Sequence, residues 1–197
     1  MSTGLVMFLA ALAAVIGWGV LVYNRFVTYR NGYQNAFSQI DVQLKRRHDL
    51  IPNLVKAAQA YLQHERQTLE AVTAARLQAS QARAAAAARP GDAAAIDTLD
   101  RSESILQGAL TKFFALAEAY PQLRADETVA RLTEELTTTE NRIGFARQAF
   151  NDAATEYNVA VQQVPANVVA VLFAFRPAAL LRATRTQAER EPVAVTL

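Results

Sequence analysis

With 197 residues, 20 Lys and Arg against 18 Asp and Glu and a net charge of +2, the chain is sized for one domain with appended termini, and its mild charge argues against nucleic acid as a partner. The absence of cysteine excludes disulfides, thiolate metal sites and a cysteine nucleophile. A hydrophobic fraction of 52% inflated by alanine, with only 7 Gly and 6 Pro, favours helix over turn-rich architectures.

Residues 1–24 read as a membrane anchor. Ser2–Asn24 carries no charge and Leu5–Val22 is almost continuously apolar. With its flanks this makes about 20 residues, or about 30 Å of helix, enough to cross the hydrocarbon core. A cleaved signal peptide is the alternative, disfavoured because no Lys or Arg precedes the run and the run is too long for a signal core. Trp18, Tyr23 and Arg25 suit the headgroup boundary on the exit side. Arg25, Arg30, Lys45, Arg46 and Arg47 follow the span with only Asp41 opposing them, which by the positive-inside rule places the bulk in the cytoplasm.

Beyond the anchor, residues 25–165 show four amphipathic runs. Phe26, Tyr29, Tyr33, Phe37, Ile40 and Leu44 share one face of a first helix, with a possible kink at Asn31–Gly32. A polar, basic corner within Asp41–Val55 is expected to end that helix, and Pro52 to open the second, where a missing N–H costs nothing. The second stripe runs through Ile51, Val55, Ala58, Leu62, Leu69 and Val72, then fades into an alanine-rich stretch that is expected to fray before Pro90-Gly91. A third helix after an Asp92 or Asp97 cap carries Leu99, Leu106, Leu110, Phe113 and Ala117, and Pro121 closes it. The fourth, from about Asp126 to Pro165, has the clearest heptad: Val129, Leu132, Leu136, Thr139, Ile143, Ala146, Phe150, Ala153, Tyr157, Ala160 and Val164. No period-two pattern is present.

The fold expected is therefore all-α: an N-terminal transmembrane helix continuing into an antiparallel four-long-helix bundle. One geometric tension accompanies it. A first helix ending at Arg47 reaches only about 33 Å beyond Arg25, whereas the fourth could reach about 58 Å, so either the first is tilted or kinked or the second stops near Ala79. Residues 166–176 form a short apolar helix, read either as a cap on the bundle's base or as an interfacial helix with Phe173 and Phe175 in lipid and Arg176 at the headgroups. Residues 177–197 lack a sustained stripe and are expected to be disordered.

Signals for chemistry are few. His64-Glu65 starts like a helical zinc-protease motif but lacks the second histidine, and His48 beside Asp49 has no nucleophile next to it. No phosphate-binding glycine loop or nucleophile elbow is present. No catalytic, cofactor or metal residue is assigned. On the fourth helix Glu140, Arg147, Asn151 and Asn158 form a polar line beside the apolar seam, read as setting register through bonds to Asn53 or Asp49. Lys45, Arg46, Arg47 and His48, at the supposed corner, form the best-presented polar cluster and are the candidate protein-docking surface, while Asp49, Pro52 and Asn53 fix the turn.

Five stretches, YNRFVTYRN (23–31), SQIDVQLKRRHDLIPNLV (38–55), TLEAVTAAR (68–76), ENRIGFARQAFND (140–152) and EYNVAVQQVPANVVAVLFAFR (156–176), resemble the LemA family, which includes a related magnetosome protein. The resemblance covers roughly Tyr23 to Phe175 and implies a single-pass anchor on a long-helix bundle, no established enzymatic activity, and no catalytic residues to carry over. It also implies an accessory role beside membrane proteins, among them HtpX-type proteases or TPM-domain proteins. The resulting expectation is a non-enzymatic scaffold or adaptor in the bacterial inner membrane, in contact with the lipid bilayer and self-associating, since Gly4, Gly17 and Gly19 permit close helix approach. A self-assembling membrane-shaping protein is the alternative.

Overall fold

In the structure, a computed structural model that describes residues 3–182, Pro52 does not begin a helix. It lies inside α1, which runs unbroken from Thr3 to Gln59. The turn expected at Asp41–Val55 therefore falls at residues 60–65, and Pro52 and Asn53 are exposed positions on a continuing helix. A mid-helix proline removes the bond to the carbonyl four residues back. Here that carbonyl belongs to His48, and the Arg76 guanidinium from α2 (Arg66–Ala88) donates its Nε–H to it at 3.0 Å. A cation from the neighbouring helix replaces the lost backbone donor, and the helix continues.

The length mismatch disappears with this correction. From Arg25 to Gln59 α1 extends about 52 Å, and α5 (Glu127–Gln162) extends about 54 Å. Between them α2 and α3 (Ala93–Ala117) are shorter, and α4 (Pro121–Arg124) is a single turn opened by Pro121. The remaining helix, α6, covers Ala166–Leu172. Among the described residues all the regular structure is helical. α1 packs along α5 and α2 along α3, with α2 also against α1. Tyr61 donating to Asp126 at 2.9 Å marks the end far from the anchor, while Tyr33 beneath Gly91 and Phe26 against Phe175 mark the near end. The order is thus up, down, up, down.

Local signals explain the ends. Asp92 accepts from Ala95 N–H and Asp126 from Thr128 and Val129 N–H, each satisfying first-turn donors that a helix leaves open. Gly91 adopts φ +86° in the near turn, and a Cβ there would sit 3.0 Å from the Ala178 Cβ, so both dihedral and space call for glycine. The alanine-rich part of α2 does not fray. Ala79, Ala82 and Ala86 are buried, small side chains that let α2 approach its neighbours closely.

The core has two parts. One, near the anchor, contains Phe26, Tyr33, Phe37, Ile40, Leu99, Ile143, Phe150 and Tyr157; the other, distal, contains Ile51, Leu54, Leu62, Leu106, Phe113, Leu132 and Leu136. A buried polar layer separates them. The span preceding the bundle, Leu5 to Leu21, is exposed all round, as a helix clothed by lipid would be.

Candidate functional site

Three stripes each miss one apolar step at the same height. On α1 the slot between Leu44 and Ile51 holds Arg47 and His48; on α3 the slot between Leu99 and Leu106 holds Glu103; on α5 the slot between Leu136 and Ile143 holds Thr139 and Glu140. Arg47 is 3% exposed and His48 1%. Arg47 donates through Nη1 to Glu140 at 2.5 Å and pairs through Nη2 with the Glu103 carboxylate. One guanidinium thus bridges two carboxylates from different helices. His48 Nε2 lies 3.0 Å from the other Glu103 oxygen. Burial, reinforced by the charges of Arg47, Arg83 and Arg76, pushes His48 down from 6.5 to about 3, so the ring is neutral near pH 7 and its Nε2–H donates to Glu103. Arg83 of α2 reaches Asp41 of α1 at 2.5 Å, so all four long helices are tied at this level.

Beside the layer a cleft of about 50 Å³ is lined by Arg47, Asp100, Glu103, Gln107, Arg147 and Arg182. That volume suits a few waters, not a metabolite, since small-molecule sites run to hundreds of Å³. No group of three or more His, Asp or Glu is arranged to hold a metal ion among the described residues.

The polar line on α5 has a different partner from the one expected. After α6 the chain turns back and residues 176–182 run along α5 and α3 as an extended strap. Asn158 brackets Ala178, donating to its C=O at 2.8 Å and accepting from its N–H at 2.7 Å. Asn151 brackets Leu181 in the same way, at 2.8 and 2.9 Å. Seven helical residues rise about 10.5 Å and three extended residues cover about 10 Å, so the 151/158 spacing matches the 181/178 spacing. Further along, Arg147 donates to the Arg182 C=O at 2.6 Å and to Asp100 at 3.1 Å, and Asp100 accepts from Arg182 N–H at 3.0 Å. Burial raises the Asp100 carboxyl and lowers the Arg147 guanidinium, each shift opposed by the other's charge. Tyr157 donates to the Arg176 C=O and the Gly91 C=O accepts from Ala179 N–H. Almost every one of these bonds addresses backbone.

Several expectations change accordingly. Arg47 and His48 are buried pieces of the ionic layer and present nothing for docking, because the corner that would have displayed them is mid-helix. Lys45 and Arg46 remain exposed, Lys45 paired with Asp49 at 2.8 Å and Arg46 facing Glu135 at 3.7 Å. Neither Asp49 nor Asn53 reaches the α5 line: Glu140 bonds Arg47, and Arg147, Asn151 and Asn158 hold the strap. Residues 177–182 of the tail expected to be disordered are bound to the bundle; 183–197 lie outside the described residues. Phe175 is not lipid-facing but buried, edge-on to Tyr23 and Phe26 and beneath the Arg30 guanidinium. Trp18 and Arg176 are exposed, Tyr23 is half-buried beside Phe173, and Arg25 reaches the Tyr29 hydroxyl. His64 is exposed in the distal turn. Asp100, Glu103, Arg76 and Arg83 went unmarked in the sequence, although the empty slot between Leu99 and Leu106 points to Glu103.

An apolar N-terminal helix long enough to cross a bilayer, running without a break into a long-helix bundle with a buried ionic layer and a clamped tail, fits the class of membrane-anchored helical bundles. The chain belongs to the LemA family, whose model matches residues 36–197. Among similar proteins is the magnetosome protein MamQ of Magnetospirillum gryphiswaldense, 27% identical over 181 residues that cover 84% of this chain and 66% of that protein. Magnetosome proteins MamQ 1 and MamQ 2 of Paramagnetospirillum magneticum are each 27% identical over 190 residues, covering 88% of this chain and 70% of theirs. The chain thus spans about two thirds of the length of these relatives.

Proposed function

We propose that the chain is a non-enzymatic, membrane-anchored scaffold that displays a rigid helical surface to other proteins, with the bulk on the cytoplasmic side of the bacterial inner membrane. The single observation that carries this reading is the continuity of α1. With no joint between span and bundle, whatever binds the bundle is held at a set distance along the span axis and a set rotation relative to the span itself, up to about 50 Å from the bilayer. The buried layer then acts as a register device, since a misaligned helix would leave a charge unpaired. The surface we assign to partners is the exposed α1–α5 face around Lys45, Arg46, Asn53, Lys56 and Arg131, where shallow open relief rimmed by Asn53, Lys56, Arg131 and Glu135 has Leu50, Ala57 and Leu132 in its floor. Membrane proteins such as an HtpX-type protease or a TPM-domain protein, and further copies of the chain, are the partners this reading favours.

Photo-crosslinkers placed at Arg46 and Lys56 in native membranes test it. The expected product is a discrete protein adduct at both sites, absent with the crosslinker at Ser104, exposed on α3. Recovery of monomer alone would contradict a scaffold role. The second reading, a self-assembling membrane-organising protein, draws on the magnetosome assignment of the MamQ relatives. It requires the adducts to be copies of the chain itself.

A further inference from the structure

At the foot of the bundle α6 turns one face inward and the other to the surroundings. Val169 and Ala170 pack into the core, while Val164, Val168, Val171, Leu172 and Phe173 are 81%, 67%, 82%, 74% and 55% exposed. Val168, Val171 and Leu172 share one face of α6, Phe173 follows at its C-terminal end and Val164 stands just before its first turn, and no polar side chain interrupts the patch except Asn167 at the margin. Five large apolar groups gathered on so short an element are more than the scattered exposed hydrophobics of a soluble surface.

Position says what covers them. The Phe173 ring meets Tyr23, the last aromatic of the α1 span, edge-on at 5.0 Å, and Phe175 locks the same corner from inside at 5.4 Å from Tyr23 and 5.3 Å from Phe26. The exposed face of α6 is therefore continuous with the exposed apolar surface that ends at Leu21, where the span leaves the hydrocarbon core. Arg25 and Arg176 are exposed at the same level, where phosphate headgroups would meet them.

We propose that α6 is a second membrane contact: an interfacial helix whose Val168–Val171–Leu172 face, with the flanking Val164 and Phe173, lies in the headgroup–acyl boundary of the leaflet through which α1 emerges. One span alone leaves the bundle free to rotate and tilt. A second contact on one side of α1, rigidly joined to it through Tyr23, Phe26 and Phe175, fixes both. The proposal rests on α1 crossing the bilayer.

Because the chain has no cysteine, single cysteines can be placed at Ala10, Phe145 and Leu172 in the full chain, all at exposed positions, and labelled with an environment-sensitive fluorophore. The protein is reconstituted in phosphatidylcholine–phosphatidylglycerol vesicles, with circular dichroism confirming helicity. Nitroxide carried on shallow acyl positions should quench the Leu172 label about threefold or more beyond the Phe145 label, and aqueous iodide should quench it correspondingly less. Iodide access at Leu172 equal to that at Phe145 overturns the proposal. So does protection from both quenchers together with a Leu172–Leu172 crosslink, which would mean a second copy covers the face. If the Ala10 label also escapes lipid quenching, the anchoring itself has failed, a result distinct from failure at Leu172 alone.

Discussion

Replacing Arg47 with methionine should be among the most damaging single changes in the bundle. Arg47 is 3% exposed and is the cation shared by Glu103, itself 8% exposed, and Glu140. Methionine approximates the volume but leaves two carboxylates facing one another at the junction of the two core halves. Breaking a buried pair from one side costs about 3–5 kcal/mol. For a chain of this size that lowers the melting temperature by about 10 °C, read by circular dichroism on the full chain in detergent micelles. The same reasoning predicts rescue. Arg47→Met with Glu103→Leu and Glu140→Leu removes every charge of the trio, and stability should return to within about 1–2 kcal/mol of wild type, the residue being the His48 N–H left without its acceptor. A single-variant cost below about 1 kcal/mol, or a triple variant as unstable as the single, would refute a buried, mutually compensated layer.

The other predictions follow from the same contacts. Arg76→Met strips the His48 carbonyl of its donor and should cost about 1–2 kcal/mol, but clearly less in a Pro52→Ala background, where an N–H returns to that carbonyl; equal costs in both backgrounds would contradict the substitution of Arg76 for the missing backbone bond. Asn151→Ala with Asn158→Ala removes four bonds to the strap, so the Ala178 and Leu181 amides should exchange at least about tenfold faster while the melting temperature changes little; unchanged exchange would mean the strap is held otherwise. His48 is depressed from 6.5 to about 3, so its contribution is present above pH 6.5 and lost as pH falls towards 3, because the unfolded chain takes up the proton first. Against His48→Gln, wild type should lose about 2 kcal/mol between pH 7.5 and pH 5, and parallel pH profiles would show that the ring is not held neutral.

How far the sequence could be read varies with where each signal resides. The α5 heptad and its start at Asp126 depend on residues three or four apart, and local spacing shows them directly, while the choice of Asp92 over Asp97 as the α3 cap is made by the Asp92 bond to Ala95 N–H. The course of α1 through Pro52 does not depend on local residues alone: the group that makes it tolerable is Arg76, far along the chain and on another helix. A local hint was nonetheless present, because Leu44, Arg47, Ile51, Leu54 and Ala58 keep one helical phase across the proline, where a turn would reset it. Likewise the line Arg147–Asn151–Asn158 stood out, yet its partner did not, since asparagines that bracket backbone amides ask nothing of the side chains at 178 and 181. Buried alanines on α2 read as featureless for a related reason: what they contribute is close approach, which periodicity of large side chains cannot display.

The central claim, a single rigid helix from bilayer to bundle tip, is tested most directly by one distance. Spin labels on cysteines at Asn31 and Gln59, both exposed, in the full chain reconstituted in vesicles, can be measured by pulsed dipolar spectroscopy. An unbroken α1 separates them by about 42 Å, with a narrow distribution, whereas a reversal anywhere in 48–52 would bring them within about 20 Å. A principal peak near the longer distance is the result expected, and one near the shorter would contradict the account.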